Sequence, residues 1–126
     1  MAVPTDRRYS QTHEWCKPEG SQAVIGLTKF AVDQLTDITF LGLPEPGAKL
    51  TAGQPLGQVE SVKAANDIYA PVGGEVLEMN RAAVANPATL NEDPFGAGWL
   101  VRIRPGDPVE LEALLDAAAY ERLIAE

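Results

Sequence analysis

Two short segments of the chain hold side chains whose types and spacing could do chemistry. In the first, Thr12-His13-Glu14-Trp15-Cys16, an imidazole lies three residues before a thiol, and an enzyme would use the two as general base and nucleophile if they met. If this segment is an ordinary strand, its side chains alternate between two faces, so His13 and Cys16 point in opposite directions. His13 is the only histidine and Cys16 the only cysteine, which excludes an intramolecular disulfide and a Cys-rich metal site. We therefore expect no catalytic residue and no metal site.

The second segment places a single lysine between two candidate strands. The strands are predicted over Gln54–Glu60 and Asp67–Ala70, and Lys63 lies in the turn that joins them. The central residues of a tight turn protrude from a sheet, and the register of the hairpin fixes the face that they present. Such an amine suits an enzyme that acylates one lysine and no other. The turn alone does not distinguish Lys63 from an ordinary solvated lysine, because most lysines on loops are exposed.

The elements that must position these residues are mostly short strands. Asn80–Asn91 lacks a strong periodicity, and no element is predicted there. Many short strands separated by Gly and Pro turns predict a mainly β protein, a sandwich or barrel of antiparallel strands with appended helices. The predicted strands are Thr12–Lys17, Gln22–Leu27, Asp37–Leu43, Gln54–Glu60, Asp67–Ala70, Glu75–Met79 and Trp99–Ile103.

Two helical segments accompany the strands. Thr28 is a suitable N-cap for a short internal helix over Lys29–Leu35. Apolar residues between 111 and 124 mostly keep helical spacing, which predicts one helix or two short ones, with Asp116 as a candidate N-cap. We expect residues 1–126 to form a single domain with a C-terminal helical tail from about residue 107.

The charge balance excludes one class of partner. The chain has ten Lys and Arg against eighteen Asp and Glu, a formal net charge of −8. Nucleic-acid binding requires basic side chains that displace phosphate counterions, so it is not expected.

No apolar segment has the length needed to span a bilayer, so no membrane association is expected. If the chain is complete, the cytoplasm is the simplest compartment; a processed eukaryotic protein could instead belong to the mitochondrial matrix.

The segment around Lys63, from Val59 to Val76, resembles the lipoylation segment of the glycine cleavage system H protein family. The resemblance continues in order along nearly the whole chain. Thr36, Gly73 and Cys16 depart from the residues usual in this family, but none lies beside Lys63. The other matching blocks are Tyr9 with Thr12-His13-Glu14-Trp15, Ile25-Gly26-Leu27-Thr28, Asp37-Ile38-Thr39-Phe40, Leu43-Pro44 with Gly47, Asn91, Pro94-Phe95-Gly96, Gly98-Trp99-Leu100, and Leu114-Leu115-Asp116 with Tyr120.

This resemblance implies a lipoyl-domain-like barrel-sandwich hybrid that carries lipoic acid as an amide on Lys63. The implied function is a non-catalytic shuttle with a swinging arm. It would carry an aminomethyl group from glycine decarboxylase (the P protein) to the tetrahydrofolate-dependent aminomethyltransferase (the T protein). Dihydrolipoamide dehydrogenase (the L protein) would then reoxidise the dithiol. Biotin carriers usually flank their lysine with methionines, whereas Val62 and Ala64 flank Lys63.

The resemblance also implies further site residues. The family docks its loaded arm in an acidic cleft, for which Glu14 and Asp67 are the candidates, with Thr12 as a weaker hydrogen-bonding candidate. Surface solvation is the ordinary alternative for both acids. Glu60 could guide the lipoylating enzymes. Two other functions stay open: an H-like donor of lipoyl groups to other enzymes, and an adaptor that is never lipoylated.

Overall fold

The computed structural model describes residues 2–125. These residues form a mainly β protein in which short helices join and flank the strands. The strands are β1 (Arg8–Tyr9), β2 (Glu14–Glu19), β3 (Gln22–Leu27), β4 (Ile38–Gly42), β5 (Lys49–Leu50), β6 (Pro55–Ser61), β7 (Ala65–Tyr69), β8 (Gly74–Met79) and β9 (Val101–Pro105). The helices are α1 (Lys29–Leu35), α2 (Arg81–Ala85), α3 (Ala88–Glu92), α4 (Pro108–Glu112) and α5 (Ala117–Ile124).

The strands form two antiparallel sheets that enclose the main core. One sheet has the order β1-β2-β3-β9-β8-β5, and the other has the order β4-β6-β7. The inward-facing apolar side chains of both sheets, such as Ile25, Val59 and Ile103, belong to one buried cluster. This arrangement confirms the predicted fold class, a barrel-sandwich hybrid of short antiparallel strands with an internal helix and a C-terminal helical segment.

A second, smaller core lies under the C-terminal helix. Tyr9, Trp15 and Tyr120 are its largest buried members. The Trp15 indole lies directly over Gly26, where a Cβ atom would approach it to 2.4 Å, and its Nε1 donates to the Pro94 carbonyl at 3.1 Å. Tyr9 and Leu115 exchange backbone hydrogen bonds of 2.8 Å. The Tyr9–Leu115 pair fixes the C-terminal tail against β1.

The predicted helix caps are confirmed. Thr28 accepts a hydrogen bond from the Ala31 N–H at the start of α1, and Asp116 accepts one from the Ala119 N–H at the start of α5. The tail consists of two helices, the first beginning at Pro108. No helix within residues 2–125 combines the length and apolarity needed to cross a membrane. The single domain over residues 1–126 stays a prediction, and residues 1 and 126 lie outside the described residues.

The structure differs from the predicted elements in several places. Strand β7 begins two residues earlier than predicted, at Ala65, and β9 is shifted by two residues, to Val101–Pro105. Helices α2 and α3 lie in Asn80–Asn91 and extend one residue beyond it; each has five residues, too few to establish a periodicity. Strands β1 and β5 were also missed, because each has only two residues. The strand predicted over Thr12–Lys17 begins at Glu14, since His13 has a φ of +74°, a left-handed conformation that no strand residue adopts.

Candidate functional site

Lys63 lies at the tip of the β6–β7 hairpin, as predicted. The turn Ser61–Ala64 is closed by a hydrogen bond of 2.8 Å from the Ser61 N–H to the Ala64 carbonyl. The Ser61 hydroxyl accepts the backbone N–H groups of Lys63 at 3.3 Å and Ala64 at 3.2 Å. A side chain thus satisfies the donors of the turn, and the Lys63 side chain remains exposed.

The hairpin tip is also anchored to the rest of the sheet. The Val62 N–H donates to the Asp37 carbonyl at 3.1 Å, just before β4. The Asn91 side chain holds this region, because its Oδ1 accepts from the Ile38 N–H at 3.0 Å and its Nδ2 donates to the Thr36 carbonyl at 2.7 Å. Hydrogen bonds therefore hold the backbone of the turn on both sides of Lys63, whose side chain is exposed.

A cleft of about 490 Å³ lies beside the hairpin, between α1, β7 and the loop that precedes β2. A separate shallow depression, formed by Phe30, Asp33, Gln34 and Lys63, shares Phe30 and Gln34 with the cleft. The depression beside Lys63 and the cleft therefore adjoin along α1. The cleft is lined by Gln11, Thr12, His13, Glu14, Leu27, Phe30, Ala31, Gln34, Leu35, Val59, Ala64, Asn66, Asp67 and Tyr69.

The structure brings three of the predicted site residues together. Glu14, Thr12 and Asp67 all line the cleft. Glu60 does not line it; this residue lies exposed on β6, paired with Ala65 across the hairpin. The two acids of the cleft and Glu60 of the hairpin therefore belong to different surfaces.

Glu14 is buried, with 2% of its surface exposed, so the surface-solvated alternative is wrong for this residue. Its Oε1 accepts from the Ser10 hydroxyl at 2.6 Å and also from the Thr12 hydroxyl. Its Oε2 accepts from the Tyr69 N–H at 3.2 Å. Burial raises the pKa of Glu14, while these hydrogen bonds oppose the rise. The carboxylate connects the loop before β2 to the end of β7.

Asp67 contrasts with Glu14 because it is exposed on β7. It lies opposite Gln58 in the hairpin and makes no ion pair in the described part of the chain. Its carboxylate is open to a ligand entering the cleft, whereas most of the hydrogen-bonding capacity of Glu14 is already used.

His13 and Cys16 do not form a catalytic pair. Cys16 is fully buried in the main core, and burial raises the pKa of its thiol to about 12. The Nδ1 atom of His13 is hydrogen-bonded to the Tyr120 hydroxyl at 2.8 Å. The expected separation thus holds, but His13 precedes the strand, so alternation along a strand is not its cause.

The contribution of α1 and α5 to the cleft was not predicted from the sequence. Phe30, Gln34 and Leu35 of α1 form one wall, whereas the sequence predicted only that Lys29–Leu35 is a short helix. Tyr120 of α5 reaches the base of this wall through its hydrogen bonds to His13 and Thr28. An aromatic residue, Phe30, near the start of a predicted short helix was the one signal that the sequence offered for this wall.

Comparison with known proteins gives a consistent result. Residues 7–126 match the family model described as Glycine cleavage H-protein. The glycine cleavage system H protein of Beutenbergia cavernae is 50% identical over 98% of this chain and 97% of its own. That of Thermus thermophilus is 45% identical over 98% of this chain and 97% of its own. A crystal structure of a glycine cleavage system H protein from Mycobacterium marinum matches with a TM-score of 0.90 at 38% identity, covering 98% of this chain and 100% of that chain.

The raised pKa of Glu14 predicts a pH-dependent stability. The folded protein holds the Glu14 proton more tightly than the unfolded chain, so this group lowers the free energy of unfolding as pH rises from about its ordinary value of 4.5 to its higher folded value. Glu14→Gln should remove that loss. The free energies of unfolding of the original chain and of Glu14→Gln are measured in urea between about pH 4 and about pH 8, and their difference is plotted against pH.

Glu19→Gln is the matched control, because the Arg102 guanidinium lowers the pKa of Glu19. The Glu19 carboxylate should stabilise the fold above its unfolded pKa and lose that effect as pH falls. Its contribution to the unfolding free energy therefore rises with pH, whereas that of Glu14 falls. For each variant, the difference in unfolding free energy from the original chain is plotted against pH. If the two plots have slopes of the same sign, the raised pKa of Glu14 is contradicted.

Proposed function

The chain belongs to the glycine cleavage H-protein family, and we propose that it is the lipoyl-bearing aminomethyl carrier of the glycine cleavage system. Its partners are then glycine decarboxylase, the tetrahydrofolate-dependent aminomethyltransferase and dihydrolipoamide dehydrogenase. One observation carries the proposal: an exposed lysine at the tip of an anchored hairpin adjoins a cleft that contains carboxylates.

Lys63 is the residue best suited to carry lipoic acid as an amide. The chain has four lysines; Lys17, Lys29 and Lys49 each lie within 4 Å of a carboxylate, and among residues 2–125 Lys63 makes no ion pair. Its amine is thus free to be acylated, and the amide removes a charge that no neighbour compensates. A lipoyl group bound there supplies the thiol–disulfide chemistry and the carrying sulfur, so no protein cysteine takes part.

The cleft residues shelter the carried group and hold its charge. The apolar side chains of Leu27, Leu35 and Val59 exclude water from the inner part of the cleft. The exposed carboxylate of Asp67 accepts a charge-assisted hydrogen bond from the protonated amine of the aminomethyl group.

Glu14 contributes differently from Asp67. Its carboxylate already accepts three hydrogen bonds out of roughly four positions, so at most one position remains for the carried amine. Thr12 donates its hydroxyl proton to Glu14, and only its oxygen can accept from that amine. Their main contribution is therefore a fixed negative charge beneath the cleft.

The protein performs no catalysis of its own in this function. Its relatives are named H protein, a component of the glycine cleavage system. The buried Cys16 and the hydrogen-bonded His13 leave no nucleophile and base in contact. Two alternative functions are distinguished by experiment. A lipoyl donor for other enzymes would use the same Lys63, and reconstitution with the three partner enzymes distinguishes it from the shuttle. An adaptor without lipoate is distinguished by the intact mass of the native protein, which would show an unmodified Lys63.

Lipoylating enzymes are the remaining partners, and Glu60 is the residue that guides them to Lys63. Its side chain is exposed beside the turn and outside the cleft. A net charge of −8 favours approach to a basic surface on these enzymes. The family relatives come from bacteria, which favours the cytoplasm as the compartment, with the mitochondrial matrix reserved for a processed eukaryotic protein.

Lys63→Arg should fold normally and abolish lipoylation, because a guanidinium does not form the lipoyl amide. The measurement is intact mass after incubation with lipoate ligase, lipoate and ATP: the original chain gains one lipoyl group, and the variant gains none. Lys49→Arg is the matched control, since that lysine is also exposed. A lipoyl group on the Lys63→Arg variant would refute the assignment.

Glu60→Gln should slow lipoylation and weaken its dependence on salt, because it removes a charge that attracts the enzyme to the hairpin. Initial rates at several salt concentrations give both quantities. Glu112→Gln on α4 makes the same charge change outside the hairpin. If both variants respond equally, only the net charge matters and Glu60 has no specific role.

Asp67→Asn should shorten the lifetime of the aminomethyl-loaded protein by on the order of tenfold, because a charge-assisted hydrogen bond is lost. Lipoylation itself should be unchanged. The rate of formaldehyde release from the isolated loaded protein measures the lifetime. Asp33→Asn is the control, since Asp33 lines the shallow depression beside Lys63 but not the cleft. An unchanged lifetime in the Asp67 variant would exclude this contact.

A further inference from the structure

Three hydrogen-bonding groups from distant parts of the chain meet behind the cleft. The Tyr120 hydroxyl of α5 lies 2.8 Å from Nδ1 of His13 and 2.7 Å from Oγ1 of Thr28. The Thr28 oxygen also accepts the Ala31 N–H at 3.3 Å, as the N-cap of α1. Tyr120 and Thr28 have no exposed surface. Water therefore does not complete their hydrogen bonds, and each hydroxyl proton must have an acceptor within this group.

Only one arrangement of protons satisfies both buried hydroxyls. If Tyr120 donates to His13 Nδ1, the Thr28 hydroxyl donates to the Tyr120 oxygen, and both hydroxyl protons have an acceptor. In the reverse arrangement His13 donates from Nδ1 and Tyr120 donates to Thr28, whose own proton is then buried without an acceptor. A buried hydroxyl proton without an acceptor is destabilising, because no hydrogen bond compensates its removal from water. His13 is therefore the tautomer that carries its proton on Nε2.

The backbone and neighbouring rings fix the orientation of His13. Its left-handed backbone is held by hydrogen bonds from its N–H to the Ser10 carbonyl at 3.2 Å and from the Thr28 N–H to its own carbonyl at 3.0 Å. Its ring lies 4.8 Å from the Phe30 ring and 5.7 Å from the Tyr120 ring. Burial lowers the pKa of His13, so the ring is uncharged at neutral pH.

The Nε2–H of His13 has no acceptor among residues 2–125, although His13 lines the cleft. A neutral N–H does not bind the protonated amine for which Asp67 is suited. It requires an acceptor, and apart from sulfur the lipoyl-lysine arm offers one, its amide carbonyl oxygen. Phe30 lines both the depression beside Lys63 and the cleft, and it contacts His13. An arm that enters the cleft from Lys63 along α1 therefore passes the Phe30 ring, which lies beside His13.

We propose that His13 is a binding residue of the cleft, whose Nε2–H donates to the amide carbonyl of the arm, and that Tyr120 is the positioning residue that fixes this donor. The second contact rests on the function proposed above, whereas the tautomer does not. Helix α5 then has a function in the cleft, although none of its residues lines it. Through Tyr120 it determines that His13 presents a hydrogen-bond donor to the cleft.

The tautomer is tested on the unmodified protein. Because the chain has one histidine, a long-range ¹H–¹⁵N spectrum of the imidazole shows a single set of signals. We expect protonated Nε2 and unprotonated Nδ1 at neutral pH, and a mixture of tautomers in Tyr120→Phe. Tyr9→Phe is the matched control, since the Tyr9 ring stacks on Tyr120 at 4.7 Å but its hydroxyl donates to the Pro4 carbonyl. An Nδ1–H tautomer in the original chain would overturn the proposal, even if Tyr120→Phe does not fold.

The contact with the arm is tested with protein acylated on Lys63 by octanoate, which forms the same amide but has no sulfur. Intact mass first verifies acylation; its failure would count against the proposed function and leave the tautomer result unaffected. We expect the Nε2–H signal to move downfield and its exchange with water to slow on octanoylation, and these changes to be lost in Tyr120→Phe. No change in the acylated original chain would refute the contact, and a change with lipoate only would assign sulfur as the acceptor instead.

Discussion

The cleft depends on the burial of one carboxylate. Glu14 lies where the loop before β2 meets the end of β7, and it is almost fully removed from solvent. An unpartnered buried carboxylate would be too costly to retain, so three donors surround it: the hydroxyls of Ser10 and Thr12 and the N–H of Tyr69. These hydrogen bonds hold the loop against the sheet edge, and the remaining space between the loop, β7 and α1 is the cleft.

Hydrogen bonds anchor the backbone of the hairpin tip and the start of α1, whereas the Lys63 side chain is exposed. The hairpin tip is bound to the chain before β4 through Val62 and to its own turn through Ser61. The wall formed by α1 is capped by Thr28, which is bound in turn to Tyr120. In the proposed carrier, these rigid supports reduce the conformational entropy lost when the lipoyl arm docks, because only the arm itself must be ordered.

The two cleft acids illustrate how environment changes the role of similar side chains. Burial raises the pKa of Glu14, and its hydrogen bonds use most of its acceptor capacity. Asp67 is exposed on β7 and keeps its carboxylate available. In the proposed carrier, Asp67 makes the direct contact with the carried amine, and Glu14 maintains the shape of the cleft and the negative charge beneath it.

Local patterns in the sequence were sufficient for much of the fold. Strand β3 and helix α1 were predicted with their observed bounds, and Thr28 and Asp116 were identified as caps, because periodicity and capping depend on neighbouring residues. The five-residue helices α2 and α3 were missed, since elements this short form through tertiary contacts and not through their own periodicity. The start of β2 was wrong because the left-handed backbone of His13 is stabilised by Ser10 and Thr28.

The sequence by itself determined the family, through an ordered resemblance along nearly the whole chain, and it identified Lys63 within a hairpin turn. Only the tertiary structure decided what surrounds that lysine. It showed that Glu14 is buried, that α1 forms a wall of the cleft, and that Tyr120 reaches His13 across 107 positions of the chain. The physical reason is that turns and caps are set by residues close in sequence, whereas burial and proton positions depend on groups that only folding brings together.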